Sequence, residues 1–488
     1  MIRVFCLLAL LAAAPAAAAD QWIEVKSAHF TITSNAGKGP TSTLAWQLEQ
    51  MRSEAAVLWP WAKLDLNRPL VVFALKDEQS LKALAPEYWE KKNGGGNVAT
   101  VWASSYERTF LLLRTDVDQD FRRHVNPYAS SYFAYFSLIL QQSVPKRLPP
   151  WFSRGLAAVL SNTVISDESV LVGAPAPWYL ETLREGRRLL LGDLVSARRD
   201  SPLLKSDLSL FDAEAWGLVH YLMYGEKGAR SNALGRYAAL VINGTDPDVA
   251  FRETLGQTAD LVGPVRAYVD RQVFAYVALK VDAEVKRETF AITPIPPAEM
   301  AARRALLHVA MRRPVEARAA IDEARKAGGA PAADVADGLL LDSEDKDEAA
   351  RAAFTRAVDG GTTDAFAHYR LAELSWTQDA NKETLTRIEA LLSKAVSLNV
   401  RFAAAYDFLA QVKADLGNGK PSSLAMRAVV LEPSNAHHRL TAARLLAEEN
   451  LIEDALKQLQ AAAELAEGPD ETREVAELRA WIERRKGG

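Results

Sequence analysis

Residues Asn126–Thr163 read NPYASSYFAYFSLILQQSVPKRLPPWFSRGLAAVLSNT, and this stretch decides how the first half of the chain folds. Apolar side chains recur in it at helical spacing: Tyr132, Phe133, Phe136, Ile139 and Leu140. Asn126 suits the cap of this helix, and two prolines at 149 and 150 separate it from a second helix that we place at Trp151–Asn162. The stretch therefore predicts two consecutive helices, the first with a largely buried face.

The two-helix stretch resembles the core of the gluzincin metallopeptidases, and among them the bacterial "peptidase MA-like" family. In that family the first helix carries His-Glu-x-x-His, and a Trp-x-x-Glu-Gly-x-Ala run opens the second helix and supplies the third zinc ligand. When Asn126-Pro127-Tyr128 and Trp151–Ala157 are aligned with the family, its His-Glu-x-x-His falls on Phe133–Ser137 and its ligand Glu on Arg154. The resemblance implies an α+β, zincin-like domain in which a small mixed sheet packs on active-site-type helices.

The residues at the four chemical positions of this frame are unsuited to zinc chemistry. A catalytic zinc takes nitrogen, sulfur or carboxylate ligands from the protein, whereas Phe133 has no lone pair and Ser137 offers only a hydroxyl. Ala134 cannot act as the general base that activates water, and Arg154 carries a permanent positive charge. We therefore expect no metal, no cofactor and no catalysis at this site. The alternative is that the alignment with the family arises by chance.

The resemblance also implies which side chains face the former cleft. Gluzincins place a transition-state-stabilising Tyr or His on a later helix, which makes His220 and Tyr221 candidates, and Trp151 opens the second helix of the frame. These three residues are our candidates for peptide binding in the former cleft. For His220 the alternative is a core histidine that is satisfied by a hydrogen bond, because its neighbours in the sequence are mainly apolar.

The first residues read MIRVFCLLALLAAAPAAAAD, with one arginine, an apolar run and a small-residue site. This pattern predicts a secretory signal peptide at residues 1–19 and a periplasmic or secreted bacterial protein. The only cysteine of the chain, Cys6, lies within it. No other stretch reaches transmembrane length, and the mildly acidic net charge of −4 gives no indication of nucleic-acid binding.

The last third of the chain is repetitive. Small-residue anchors recur at intervals of 33 to 38 residues: Ala324, Ala357, Ala395, Ala428 and Ala462. A period near 34 residues with paired helices is typical of tetratricopeptide (TPR) repeats, which stack into an all-α solenoid. We expect its concave surface to bind a protein or peptide.

Four polar or aromatic residues on the first helices of the repeats are candidates for that surface: Tyr369, Arg370, Tyr406 and Arg439. For each of them, a role in capping or packing the helices is an equally good interpretation.

We divide the chain into the signal peptide, a degenerate metallopeptidase-like domain at 20–285, a Pro-rich linker at 286–298 and a TPR domain at 299–488. In the metallopeptidase-like domain, Leu261–Lys280 is predicted as a closing helix. A buried strand is predicted at Leu70–Leu75, and two further strands are predicted at Val98–Trp102 and Phe110–Arg114.

The combined interpretation is an exported, non-catalytic pseudo-metallopeptidase with TPR repeats that acts in protein or peptide binding or in assembly. One alternative is an active metallopeptidase with unconventional ligands. Another is that the first domain only supports the repeats. The chain contains no G-x-S-x-G elbow, P-loop or dinucleotide fingerprint. The sequence does not indicate the partner or the oligomeric state.

Overall fold

A computed structural model describes residues 21–90, 98–144, 148–466 and 468–486. The predicted signal peptide lies outside these residues. The strands run β1 Ile23–Lys26, β2 Thr31–Ser34, β3 Leu70–Leu75, β4 Thr100–Ser104, β5 Thr109–Arg114, β6 Val164–Ile165, β7 Ser169–Val172, β8 Val277–Lys280 and β9 Ala291–Pro294. The helices before residue 290 are α1 Lys38–Leu58, α2 Glu78–Leu84, α3 Glu87–Glu90, α4 Ala129–Ser143, α5 Pro150–Ser161, α6 Pro177–Arg184, α7 Leu191–Ser196, α8 Pro202–Ser206, α9 Leu208–Tyr224, α10 Ser231–Ile242, α11 Pro247–Leu255 and α12 Thr258–Val269.

The remaining helices form the second half of the chain. They are α13 Pro297–Ala310, α14 Pro314–Lys326, α15 Pro331–Asp342, α16 Asp347–Asp359, α17 Ala365–Ser375, α18 Lys382–Leu398, α19 Ala403–Asp415, α20 Pro421–Leu431, α21 Ala436–Glu448, α22 Ile452–Ala463 and α23 Pro469–Lys486. A mixed-sheet region is thus followed by a long helical region, as the sequence predicts.

The main sheet has six strands in the order β4-β5-β3-β2-β1-β9. Strands β2, β3 and β5 are parallel to one another, while β4, β1 and β9 pair antiparallel with their neighbours. In the part of the chain that the structure describes, β4 pairs only with β5 and therefore forms one edge of the sheet. A second, three-stranded sheet has the order β6-β7-β8.

Both faces of the main sheet are buried. Successive side chains of a strand point to opposite sides, and those of β3 belong to two different apolar cores. Val72 and Ala74 of β3 belong to the same apolar core as α1 and α4. Phe73 and Leu75 belong to a separate core that includes the first helices of the second region, such as Leu306 on α13. The solenoid thus covers one face of the sheet, and α1 and α4 cover the other.

Two predicted boundaries differ from the structure. Within the predicted linker 286–298, Ala291–Pro294 forms β9 and pairs with β1 at the sheet edge. The predicted helix Leu261–Lys280 is divided, because α12 ends at Val269 and Val277–Lys280 forms β8 against β7. Both strands are four residues long and pair with distant segments, so local sequence patterns contain little information about them.

The helical region is a solenoid of antiparallel pairs, α13/α14 through α21/α22, followed by α23. All five alanines of the repeat series lie on the second helices of the pairs and are fully buried: Ala324, Ala357, Ala395, Ala428 and Ala462. The predicted repeat register is therefore confirmed. Small residues at these positions let neighbouring helices approach closely.

Polar contacts attach the solenoid to the sheet region along much of its length. Arg303 on α13 donates to Glu24 of β1 at 2.7 Å and to Thr33 of β2 at 2.8 Å. Much farther along the solenoid, Asn67 donates to the Leu431 carbonyl at 2.9 Å. The two regions therefore share an extended interface, and part of the solenoid surface faces the sheet region of the same chain.

Candidate functional site

Two asparagines join the start of α4 to the end of α5. The amide oxygen of Asn126 accepts from the backbone of Tyr128, and its Nδ2 donates to the Ser161 carbonyl at 3.2 Å. The side chain of Asn162 accepts from the Asn126 backbone at 2.9 Å. Asn126 lies before the helix, which begins at Ala129 rather than directly after the predicted cap. Its side chain instead makes buried contacts with α5 that hold the two helices in register.

Helix α5 also packs closely on α9. A Cβ atom placed on Gly155 would lie 2.6 Å from the Ala215 carbonyl oxygen and 2.5 Å from Cγ2 of Val219. These distances are shorter than van der Waals contact, so this crossing requires glycine. Gly155 thus sets the separation between α5 and α9 directly beside Arg154.

Arg154 lies between the three helices. Its Nε and Nη2 donate to the two carboxylate oxygens of Asp212 on α9, with an Nη2–Oδ2 distance of 2.7 Å. The guanidinium carbon lies 5.2 Å from the centre of the Phe133 ring on α4. A bidentate arginine–carboxylate pair is strong and geometrically specific. Phe133 and Arg154, which the alignment assigns to a first and a third ligand position, are thus in contact with each other.

The other two positions of the frame do not reach this contact. Ala134 is buried and Ser137 is half-buried, and neither lines the groove described next. Within the described residues, no three side chains of His, Cys, Asp or Glu come together as a group that could hold a metal ion. The phenyl ring and the guanidinium do not fit a metal site, because neither offers a lone pair and the arginine charge repels a cation.

A groove of about 590 Å³ lies beside this contact, between the edge strand β4 and helices α4, α5 and α6. Three aromatic side chains that the sequence analysis did not single out line it, namely Trp102, Trp178 and Tyr179. Burial, followed by the Asp212 carboxylate, raises the pKa of Tyr179 above its usual range. The groove is therefore lined largely by aromatic side chains, and the Arg154–Asp212 ion pair forms part of its wall.

Alternate residues of β4 direct their backbone N–H and C=O groups away from β5, at the free edge of the sheet. Arg114 donates to the Ala99 carbonyl, and Ser105 donates to the Arg108 carbonyl, which marks odd-numbered residues as those that pair with β5. In an antiparallel ladder the intervening residues direct their N–H and C=O groups outward. Thr100, Trp102 and Ser104 therefore direct their backbone N–H and C=O groups away from β5, and no other described strand pairs with them.

The three predicted cleft residues lie elsewhere. Trp151 is fully buried in an aromatic cluster, with its ring 5.3 Å from Tyr237. His220 is also fully buried, and its two ring nitrogens contact the Tyr268 hydroxyl at 2.7 Å and the Gly173 carbonyl at 2.8 Å. Burial lowers the pKa of His220 to about 4. It therefore has the satisfied core position that was the alternative interpretation.

Tyr221 is buried as well and contacts two neighbouring charged side chains. Its hydroxyl donates to Glu226 at 2.9 Å and accepts from Nε of Arg230 at 3.2 Å. Neither Tyr221 nor His220 lines the groove. Helix α9 instead contributes Asp212 to the groove, and Asp212 lies two to three helical turns before His220 and Tyr221.

The four solenoid candidates make contacts within the solenoid. The Tyr369 hydroxyl donates to Glu373, and Arg370 donates to Asp342 at 2.6 Å. Arg439 donates to the Pro433 carbonyl at 2.7 Å and to Gln458. Tyr406 is half-buried against a small apolar cluster.

Only some of the residues in the groove could have been found from the sequence. Trp102 ends a predicted strand, and Pro177-Trp178 is a helix-start signal that places two aromatics in one turn. Asp212 had no comparable signal, because nothing in the sequence links it to Arg154 across 58 residues.

No protein-family model matches the chain, and no curated protein matches it significantly. Several solved structures resemble parts of it. YrrB, described as a TPR protein with an unusual peptide-binding site, has 20% identity and a TM-score of 0.29, covering 34% of this chain and 86% of its own. MamA has 19% identity and a TM-score of 0.28, covering 32% and 91%. PilF of Pseudomonas aeruginosa has 12% identity and a TM-score of 0.30, covering 39% and 93%. At these scores the likeness adds nothing to what the helix pairs themselves show.

None of the helices in the described part of the chain is both long and apolar enough to cross a membrane.

Proposed function

We propose that this chain is a non-catalytic binding protein whose first region is a metallopeptidase-like scaffold without its metal. The observation that carries the proposal is the Arg154–Asp212 ion pair, which stacks on Phe133 where the family alignment places zinc ligands. A guanidinium in this position excludes a dication by charge. The groove beside it remains open.

In this proposal the groove holds an extended peptide along β4. The outward N–H and C=O groups of Thr100, Trp102 and Ser104 would pair with the backbone of the peptide, as in strand addition to a sheet edge. Trp102, at 44% exposure, and the neighbouring aromatic walls would contact its side chains. Binding and cleavage use different residues, so loss of the metal chemistry leaves such binding possible.

The proposal assigns the solenoid to assembly with a protein partner. Stacked helix pairs offer an extended surface, and part of this surface is occupied by the sheet region through contacts such as Arg108–Asp364 at 2.6 Å. The remaining solenoid surface would carry the partner. Export to the periplasm is part of the proposal and is supported by the sequence pattern of residues 1–19.

A matched pair of substitutions tests the β4 groove in the full mature chain. Trp102→Ala and Trp102→Pro both remove the indole, and only the proline also removes the outward N–H group without breaking the β4–β5 ladder. Binding of a pool of N-acetylated, C-amidated apolar hexapeptides is measured by calorimetry. We expect Trp102→Ala to weaken binding and Trp102→Pro to weaken it about tenfold further. Equal affinities of the two variants would refute strand addition.

The non-catalytic part of the proposal is tested by metal content and peptidase activity. Purified protein is expected to contain no stoichiometric zinc and to leave a fluorogenic peptide pool uncleaved with and without a chelator. Chelator-sensitive cleavage by the wild type would favour the alternative, an active metallopeptidase with unconventional ligands.

A further inference from the structure

A second cavity lies between the two regions of the chain. It has a volume of about 480 Å³, within the range of ligand-binding pockets. Residues 106–108 of the β4–β5 turn form one wall, and Asp364, Phe366 and Phe402 of the solenoid belong to the other. We call this space the inter-domain cavity. It exists only where the sheet region and the solenoid meet.

Most charged side chains around the inter-domain cavity are paired. Arg303 contacts Glu24 at 2.7 Å and Glu299 at 3.0 Å. Arg108 donates from Nη2 to Asp364 at 2.6 Å. Arg401 pairs with Asp65 and His29 with Glu49. Glu432 accepts a hydrogen bond from Asn435 at 3.1 Å and lies 3.6 Å from His438. Arg68 also lines the cavity, makes no ion pair with the described residues, and has its guanidinium carbon 5.2 Å from the centre of the Tyr106 ring.

Glu107 is the exception among the acids. Its side chain is only 6% exposed, and its nearest cation is Nε of Arg108 at 3.7 Å, beyond hydrogen-bond distance. That Nε itself has no hydrogen-bond partner, while Nη2 of the same guanidinium is held by Asp364. Across the described residues, Glu107 receives no hydrogen bond. The long contact with Arg108 is thus the one ion pair of this carboxylate among the described residues. A ligand that supplies a hydrogen-bond donor and a positive charge would stabilise it further.

We propose that the inter-domain cavity binds the cationic side chain of an extended peptide, a lysine or an arginine, with Glu107 as its carboxylate partner. The site goes beyond the β4 groove and does not depend on it. Glu107 comes from the sheet region, and Phe366 and Phe402 come from the solenoid, so the two regions form the site jointly.

The surroundings favour a peptide over a free amine. Tyr106 lines both the inter-domain cavity and a neighbouring groove of about 340 Å³ that contains Trp376 and Phe408. Tyr106 is 58% exposed and Trp376 is 43% exposed. These two aromatic surfaces continue from the cavity that holds Glu107, so a chain with a basic residue followed by an apolar residue can fill both spaces.

The test uses two pools of N-acetylated, C-amidated pentapeptides with apolar mixtures around a fixed central residue. The central residue is lysine in one pool and the uncharged, similarly long norleucine in the other. Binding to the full mature chain is measured by calorimetry for the wild type, Glu107→Gln and Glu453→Gln, the last being an exposed glutamate outside the cavity. We expect the wild type to bind the lysine pool about tenfold tighter or more than the norleucine pool.

Glu107→Gln is expected to abolish this preference and to leave the free energy of unfolding unchanged or higher, whereas a purely structural glutamate would lose stability. Glu453→Gln should behave as the wild type. Equal binding of the two pools by the wild type would overturn the proposal. Putrescine binding as tightly as the lysine pool would overturn the peptide assignment. If Trp102→Pro lost the preference for the lysine pool, the lysine side chain would bind in the β4 groove, and the role of Glu107 would be refuted.

Discussion

The guanidinium of Arg154 on α5 is bound by both carboxylate oxygens of Asp212 on α9, with an Nη2–Oδ2 distance of 2.7 Å. The Phe133 ring on α4 stacks against the same guanidinium at 5.2 Å. Three helices thus meet at one charged side chain. In the proposed alignment with the gluzincin metallopeptidases, Phe133 and Arg154 fall on two positions that carry zinc ligands in that family. In this proposal the arginine side chain takes the place of the metal ion.

Arg154→Met is expected to lower the free energy of unfolding by about 1–3 kcal/mol, because it leaves the Asp212 carboxylate partly buried and unpaired. The check is urea unfolding at neutral pH. Arg473→Met is the matched control, since the Arg473–Asp470 pair is largely exposed and should contribute at most about 0.5 kcal/mol. Equal losses in the two variants would contradict a structural role for the Arg154 pair.

Gly155→Ala is expected to destabilise the protein by about 1–3 kcal/mol or more, because the new methyl group would overlap the Ala215 carbonyl and Val219 on α9. Gly235→Ala on α10 is the control. A Cβ there meets nothing within 4 Å, so alanine should stabilise its helix by about 0.5–1 kcal/mol. Thermal unfolding of both variants should show shifts of opposite sign.

The contribution of His220 is expected to disappear in acid. Its pKa is lowered by burial to about 4, below the value of an unfolded histidine, so the unfolded state binds the proton first. The stability that the neutral ring provides is therefore complete above about pH 6.5 and is lost as the pH falls toward 4, up to roughly 3 kcal/mol. The difference in unfolding free energy between wild type and His220→Gln should shrink between pH 7.5 and pH 4.5. A constant difference would contradict the buried neutral ring.

His438 should show the opposite pH dependence. Burial by itself would lower its pKa, but the hydrogen bond between Nδ1 and Asp407 at 3.0 Å and the Glu432 carboxylate 3.6 Å from Nε2 raise the pKa to about 9. Because the folded state holds the proton more tightly, the stabilisation is present below about pH 6.5 and is lost as the pH rises through 9. Unfolding of wild type and His438→Gln should converge between pH 7 and pH 10. If the unfolding free energies of the two proteins diverge over this pH range, the proposed stabilisation of protonated His438 by Asp407 is wrong.

The metallopeptidase frame itself predicts a gain of metal binding. Phe133→His, Ala134→Glu, Ser137→His and Arg154→Glu together restore the family ligands and the base. The structure adds Asp212→Asn, because the new carboxylate at position 154 would otherwise face Asp212. The fivefold variant should bind one zinc ion per chain by elemental analysis. The threefold variant that keeps Phe133 and Ser137, with Ala134→Glu, Arg154→Glu and Asp212→Asn alone, should bind none. A folded fivefold variant without zinc would show that the alignment is out of register.

The fold could be predicted well where the pattern is local and repeated. The alanine series from Ala324 to Ala462 marks five second helices, since each repeat must pack small residues against its neighbour in the same way. Strands β8 and β9 could not be predicted, because each is four residues long and is stabilised by partners more than 100 residues away. Their patterns are compatible with a helix end and a linker until the partner strands are known.

The candidate site could be predicted only in part. Phe133 and Arg154 were found because the positions of the two helices can be aligned by sequence, and the structure places them in contact. Trp151 and His220 were expected near the cleft and are buried in the core, because the exposed face of a helix depends on what packs against it. Asp212 and Glu107 had no distinguishing sequence signal.

The sequence by itself determined the two-region architecture and the repeat register, since these depend on local composition and spacing. Only the tertiary structure decided that the solenoid folds back on the sheet, that Arg154 is bound by Asp212, and that Glu107 lies between the regions with no hydrogen bond from the described residues. Such pairings join residues that are distant in the chain. Their free energy depends on burial and distance, which the order of residues along the chain does not specify.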